Sequence, residues 1–157
     1  PRGMQKNGFS CKKKSTQIGS LPKSGNYQEN ILANKSAIEN GAYDAIMINS
    51  KEHITEGSTC NIWLIKNGII YTPSLADGVL EGLTRKTIFE MGQKLAITIL
   101  EKSLTRSDFL TADECFITST TRNIVPVTKI ENTPIGTGAP GKQTLTLLET
   151  YLKYVTH

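Results

Sequence analysis

Asn61-Ile62-Trp63-Leu64-Ile65-Lys66-Asn67-Gly68-Ile69-Ile70-Tyr71-Thr72 is two apolar runs separated by an Asn-Gly pair. Asn-Gly is the favoured pair for a type I′ turn, because both central residues there need a positive φ. The stretch therefore predicts a hairpin with strands over 61–66 and 69–72. Upstream, 45–49 and 53–55 read as strands joined through the turn Ser50-Lys51-Glu52. Before them, Tyr27, Ile31, Leu32 and Ile38 recur near helical spacing over 26–40, and Gly41 supplies a stop. Downstream, 73–80 reads as a loop, and Glu81-Gly82-Leu83-Thr84 leads into a helix ending near Leu95. Thr84, Thr87 and Glu90 give it only a loose capping pattern. A strand over 97–100 and a helical turn over 107–112, capped by Ser107, follow. Strands are expected over 115–119 and 124–130, and Pro126 confines the second to an edge or a bulge. A last helix over 142–154 carries Leu145, Leu148 and Leu152 on one face. The sum is a mixed α/β domain with partly antiparallel connections.

The totals agree with one globular unit. The chain has 157 residues, 38% apolar and 20% charged, enough for a real core. Its net charge of +4 and pI of about 9.0 include a run at Lys12, Lys13 and Lys14, read as a solvated loop. Elsewhere basic residues are scattered among acids, and the aromatics are not interleaved with them, so nucleic acid is not expected as a partner. Cys11, Cys60 and Cys115 are widely spaced with no C-x-x-C pair, which argues against a disulfide framework or a structural zinc. No metal site is expected. A reducing, cytoplasmic setting follows, with neither a signal peptide nor an apolar run long enough to span a membrane. The start Pro1-Arg2-Gly3 lacks a methionine, so the chain is expected to be a fragment of a longer protein.

Spacing alone identifies little chemistry. His53 and His157 are the two histidines; His157 is terminal and His53 is read as an exposed polar residue at a turn. No P-loop, GxGxxG or carboxylate pair at metal spacing occurs.

Four segments taken together carry more. They are Lys23-Ser24-Gly25-Asn26-Tyr27, Thr55-Glu56-Gly57-Ser58-Thr59-Cys60-Asn61-Ile62, Leu80-Glu81-Gly82-Leu83-Thr84-Arg85 and Thr118-Ser119-Thr120-Thr121. Their order and gaps resemble the class IV pyridoxal-phosphate family: branched-chain and D-amino-acid aminotransferases and aminodeoxychorismate lyases. The resemblance spans roughly residues 20 to 155. It implies the C-terminal domain of the D-amino-acid aminotransferase-like fold, a mixed sheet or pseudo-barrel with packed helices. Residues 1–22 would be a linker or interdomain segment and 23–157 the cofactor domain, the family's N-terminal domain being absent from this chain.

The same resemblance implies roles. Lys23 matches the Schiff-base lysine, which must reach the cofactor aldehyde deprotonated and then shuttles a proton. Glu56 matches the acid facing the pyridine nitrogen, which keeps that nitrogen protonated. Tyr27 matches a residue that hydrogen-bonds the phenolic oxygen. Leu83 and Thr84 at a helix N-terminus, with Ser119 and Thr120 on a turn, match the phosphate cradle. Ser58 and Thr59 are expected to line the site near Glu56.

Two local departures stand out. Arg122-Asn123 replaces a small residue followed by Glu, which bears on the substrate side, and Glu131-Asn132-Thr133 replaces an Asp-Gly turn. The implied function is transfer of an amino group between an amino acid and a 2-oxo acid by a homodimer. An aminodeoxychorismate lyase and a truncated, non-catalytic homologue are the alternatives.

Overall fold

The computed structural model describes the backbone of residues 9–13 and 23–156, and side chains over 28–156. The chain opens with strand β1 (Phe9–Lys13), helix α1 (Lys23–Glu39) and strands β2 (Asp44–Ile48) and β3 (His53–Gly57). The hairpin β4 (Asn61–Lys66) and β5 (Ile69–Thr72) is followed by a 3-10 turn (Leu75–Asp77) and α2 (Leu83–Leu95). Then come β6 (Ile99–Glu101), β7 (Leu104–Thr105), α3 (Arg106–Leu110), β8 (Glu114–Ser119) and β9 (Asn123–Val127). The chain closes with β10 (Lys129–Ile130), β11 (Thr133–Pro134) and α4 (Lys142–Val155).

Among the described residues these strands form two open sheets, ordered β11-β10-β1-β2-β3-β7 and β6-β5-β4-β8-β9. Neither closes into a barrel. Alternation along the strands explains the layering, since successive side chains point to opposite faces. Ile62 and Leu64 of β4 join Ile46, Ile48, Ile54 and Ile117 in a core between the sheets. Trp63 and Ile65 point the other way, where Ile88 and Met91 of α2 and Leu147 and Tyr151 of α4 cover them. On the outer face of the six-stranded sheet, Ala45 and Met47 meet Ala33 and Ala37 of α1. The order is thus helix, sheet, sheet, helices. Both faces of β2, β4 and β8 are covered, which is why these strands read as continuous apolar runs.

The hairpin forms as expected, with Asn67 at φ 51° and Gly68 at φ 78°. Gly41 ends α1 at φ 79°: Ala42 N–H donates to Ala37 O at 2.8 Å and Gly41 N–H to Ile38 O at 3.0 Å. This is the paired bonding of a Schellman stop. Pro126 lies in β9, an edge strand.

Several expectations are corrected. Residues 9–13, read as loop, form a strand parallel to β2; the rest of 1–22 lies outside the described residues. Helix α1 starts at Lys23, three residues before the start that the apolar spacing suggests. Its inner face is alanine rather than Ile31, Leu32 and Ile38, all of which are exposed. Only small residues allow the close approach to Ala45. Thr105, not Ser107, caps α3, since Thr105 and Asp108 form a reciprocal capping box. Residues 124–130 divide between β9 and β10, which belong to different sheets. On α4, Leu148 packs against the core, but Leu145 and Leu152 are exposed, and Thr144, Leu147 and Tyr151 form the buried face. His53 is not a free polar residue. Its Nδ1 lies 3.0 Å from Asp77 Oδ1, and Ser103 Oγ donates to Asp77 Oδ2 at 2.8 Å.

Candidate active site

Four connections converge at one end of the sheets: the start of α2, the turn from β3 to β4, the turn from β8 to β9, and one side of α1. Between them lies a cleft of about 410 Å³. Asn30, Ile31 and Asn34 line it from α1, and Glu56 with residues 57–61 from the β3–β4 turn. Leu80, Gly82, Leu83 and Thr84 come from the approach to α2, and Thr118, Ser119 and Thr120 from the end of β8.

Glu56 is buried at the end of β3. Its Oε1 accepts the Leu80 N–H at 3.0 Å and its Oε2 the Asn30 Nδ2–H at 3.4 Å. Leu80 is held from the other side as well, because Asn61 Nδ2 donates to its carbonyl at 2.9 Å. These bonds fix the segment entering α2. The helix then starts at Gly82 with no side chain capping its first N–H groups. A side chain at position 82 would meet Asn61 Oδ1 at 2.5 Å, so glycine permits the close approach. An uncapped helix N-terminus beside a cleft offers free N–H groups and a dipole that favour an anion. At the cleft's other wall, Trp63 Nε1 donates to Thr118 Oγ1 at 2.9 Å and anchors the strand end before the Ser119 turn.

Asp44 stands behind the cleft with no exposed surface. Its Oδ1 accepts from Ala45 N at 2.7 Å, from Asn34 Nδ2 at 3.0 Å, and from the Ser58 hydroxyl. Its Oδ2 accepts from Thr59 Oγ1 at 2.7 Å and from Cys60 Sγ at 3.5 Å. Burial, and then the Asp44 charge, push the Cys60 thiol well above its usual range, which suits a thiol donating to Asp44. Arg122 spans two walls: Nε donates to Ser119 Oγ at 3.0 Å and Nη2 to Thr59 Oγ1 at 2.7 Å. Its guanidinium lies over the Tyr43 ring at 5.5 Å. Burial works against its charge, but hydrogen bonding to Tyr43 and the neighbouring acidic groups reverse that and hold its pKa above the ordinary value.

The cleft brings together Glu56, Leu83, Thr84, Ser119 and Thr120, as well as Ser58 and Thr59. Lys23 is the first residue of α1 and Tyr27 lies one turn on; their side chains fall outside the described residues. Asn30, Asn34, Asp44 and Asn61 were not singled out by sequence. Asn and Asp are too common in turns and caps for any of these four to draw notice, although Asn30 and Asn34 at i and i+4 share one helix face.

A family model described as amino-transferase class IV matches residues 10–130. The chain belongs to the class IV aminotransferase family. Among its relatives, a probable branched-chain-amino-acid aminotransferase of Aquifex aeolicus is 39% identical over 132 residues, covering 83% of this chain and 42% of the relative. A D-alanine aminotransferase of Bacillus licheniformis is 38% identical over 122 residues, covering 78% of this chain and 43% of the relative. Among solved structures, a T.th. branched-chain amino acid aminotransferase complexed with N-(5'-phosphopyridoxyl)-L-glutamate superposes with a TM-score of 0.86 at 29% identity. That match covers 99% of this chain and 54% of the other. The class IV chain described here thus spans about half the length of these proteins. Among its described residues, no helix is long and apolar enough to cross a membrane, and no group of His, Cys, Asp and Glu could hold a metal.

Proposed function

We infer that this chain is the cofactor-binding half of a pyridoxal-phosphate-dependent aminotransferase. Its reaction would move an amino group from an amino acid to a 2-oxo acid. The observation that carries the reading is the buried Glu56 carboxylate sharing one cleft with the uncapped N-terminus of α2. A cofactor with a basic ring nitrogen at one side and a phosphate at another needs those two features.

The residues present fit such a group. Beside Glu56, Asn30 Oδ1 is buried without a hydrogen-bond partner, so the wall has acceptor capacity left for a protonated ring nitrogen. The N–H groups of Leu83 and Thr84 suit the phosphate, with the Ser119 and Thr120 hydroxyls available beside it. When bound, pyridoxal phosphate supplies an aldehyde that condenses with amines and a ring that takes up the electron pair left by a departing proton. Glu56 would hold the proton on the ring nitrogen. Lys23 would bind the cofactor covalently and carry the proton to and from the substrate Cα. Tyr27 would hydrogen-bond the ring's phenolic oxygen. That these relatives are aminotransferases by name supports transamination over the lyase alternative. The domain limits 23–157, a partner N-terminal domain and a homodimer belong to the same proposal.

Pyridoxal phosphate added to the chain should give a visible absorbance band, and borohydride should trap one pyridoxyl group on Lys23 by peptide mapping. Label spread over surface lysines, or no band, would overturn the reading for this chain. In the parent protein, glutamate formation from 2-oxoglutarate with an amino-acid donor tests the transfer, and pyruvate release from aminodeoxychorismate would favour the lyase.

A further inference from the structure

Behind the cleft sits a carboxylate that the proposed chemistry does not use. Asp44 has no exposed surface, and five donors converge on its two oxygens: two hydroxyls, a thiol, an amide and a backbone N–H. All five donate, which suits an ionised carboxylate. An asparagine there would turn its own NH₂ toward two or three of them and leave buried donors facing one another.

Those donors belong to different parts of the site. Ser58, Thr59 and Cys60 form the turn between Glu56 and β4. Asn34 belongs to α1, one turn after Asn30, which reaches Glu56. That helix meets the sheet through small residues. Its packing against the sheet is alanine, and Ile31, Leu32 and Ile38 are 48%, 68% and 57% exposed. Two amide–carboxylate bonds on one helix face add to this packing in fixing how the helix beginning at Lys23 lies on the sheet. Thr59 extends the connection, since its hydroxyl accepts from Arg122 and donates to Asp44. A line of hydrogen bonds runs from the β8–β9 turn through Thr59 and Asp44 to α1.

We propose that Asp44 is a positioning residue: its buried carboxylate orders the Ser58–Cys60 wall and registers α1, and so sets the geometry in which a pyridoxal phosphate is held. Its ligand rests on the function proposed above; the ordering of the wall does not.

The test is Asp44→Asn in the whole chain, with pyridoxal phosphate as the probe and amide hydrogen exchange alongside. Gly57 N–H bonds to Cys60 O at 2.8 Å and Ser58 N–H to Ala45 O at 2.9 Å, so these two amides report the wall. Loss of a charge-assisted network predicts exchange there about tenfold faster and pyridoxal phosphate binding about tenfold weaker. Leu64 and Ile65 in central strand β4 should exchange at the wild-type rate, which separates a local effect from general loosening. If Asp44→Asn does not fold, Ser58→Ala and Asn34→Ala remove one donor each. Ser58→Ala should speed Gly57 exchange, and Asn34→Ala should weaken binding. Unchanged exchange and affinity overturn the proposal, and so does faster exchange with unchanged affinity. A wild-type chain that binds no pyridoxal phosphate overturns the proposed function instead, and the exchange rates then decide alone whether Asp44 orders the wall.

Discussion

At the residue scale, paired acids and amides do most of the positioning. Glu56 and Asp44 are both buried acids, but Glu56 faces the cleft and Asp44 the scaffold. Under the proposed function, Glu56→Gln keeps an oxygen for the Leu80 N–H but loses the charge. Aminotransferase turnover of the parent should fall by about a hundredfold, while the melting temperature changes little. A rate within a few-fold of wild type would remove Glu56 from its assigned role. Asp77 makes a prediction about pH. Burial raises its pKa, but the hydrogen bonds from His53 and Ser103 lower it more, and the net shift is downward. A carboxyl whose folded pKa lies below its unfolded value of about 3.9 adds stability above that pH. The contribution is lost as pH falls through the folded value. The stability gap between wild type and Asp77→Asn should therefore be open at neutral pH and close in acid below about pH 4. Urea unfolding at both pH values checks it, and a gap that persists in acid contradicts the assignment.

Among the elements, α2 and α4 are amphipathic and α1 is not, and their expected sensitivities differ accordingly. On α4, Leu147 packs against the Trp63 face of the sheet, whereas Leu145 is exposed. Leu147→Ala should cost about 2–5 kcal/mol by emptying a packed position. Leu145→Ala should stay within about 0.5 kcal/mol, as surface substitutions do. Denaturant midpoints of the two variants decide between this face and the Leu145–Leu152 stripe that periodicity alone prefers. The hairpin was legible because Asn-Gly encodes its own turn geometry, and α3 was misplaced by one cap because Thr105 and Ser107 are both acceptable N-caps.

For the whole molecule, β4 and β8 contribute to the cores on both sides of the five-stranded sheet. Neither core can open while the other stays intact. Urea unfolding should therefore be a single transition, with Trp63 fluorescence and far-UV circular dichroism coincident. Trp63 is fully buried and stacked on Phe116 at 5.5 Å between ring centroids, so its emission reports the shared sheet. Two separated transitions would mean the layers fold apart.

Strands β1, β7 and β11 were not legible in the sequence, whereas β2–β6, β8 and β9, the longer helices, the hairpin turn, the Gly41 stop and the four motifs that resemble class IV aminotransferases were. Local chemistry suffices for these: a positive φ selects glycine or asparagine, and burial on both faces writes an unbroken apolar run. Motif order also indicated Glu56, Leu83, Thr84, Ser119 and Thr120, which the fold gathers around one cleft. Only the tertiary structure decided which face α1 and α4 bury, that 124–130 divides between two sheets, and that Asp44 lies beneath the site with Asn34, Ser58 and Thr59 on it. The reason is physical. A helix face, a sheet assignment and a buried carboxylate's donors are set by neighbours distant in sequence, and no local pattern encodes them.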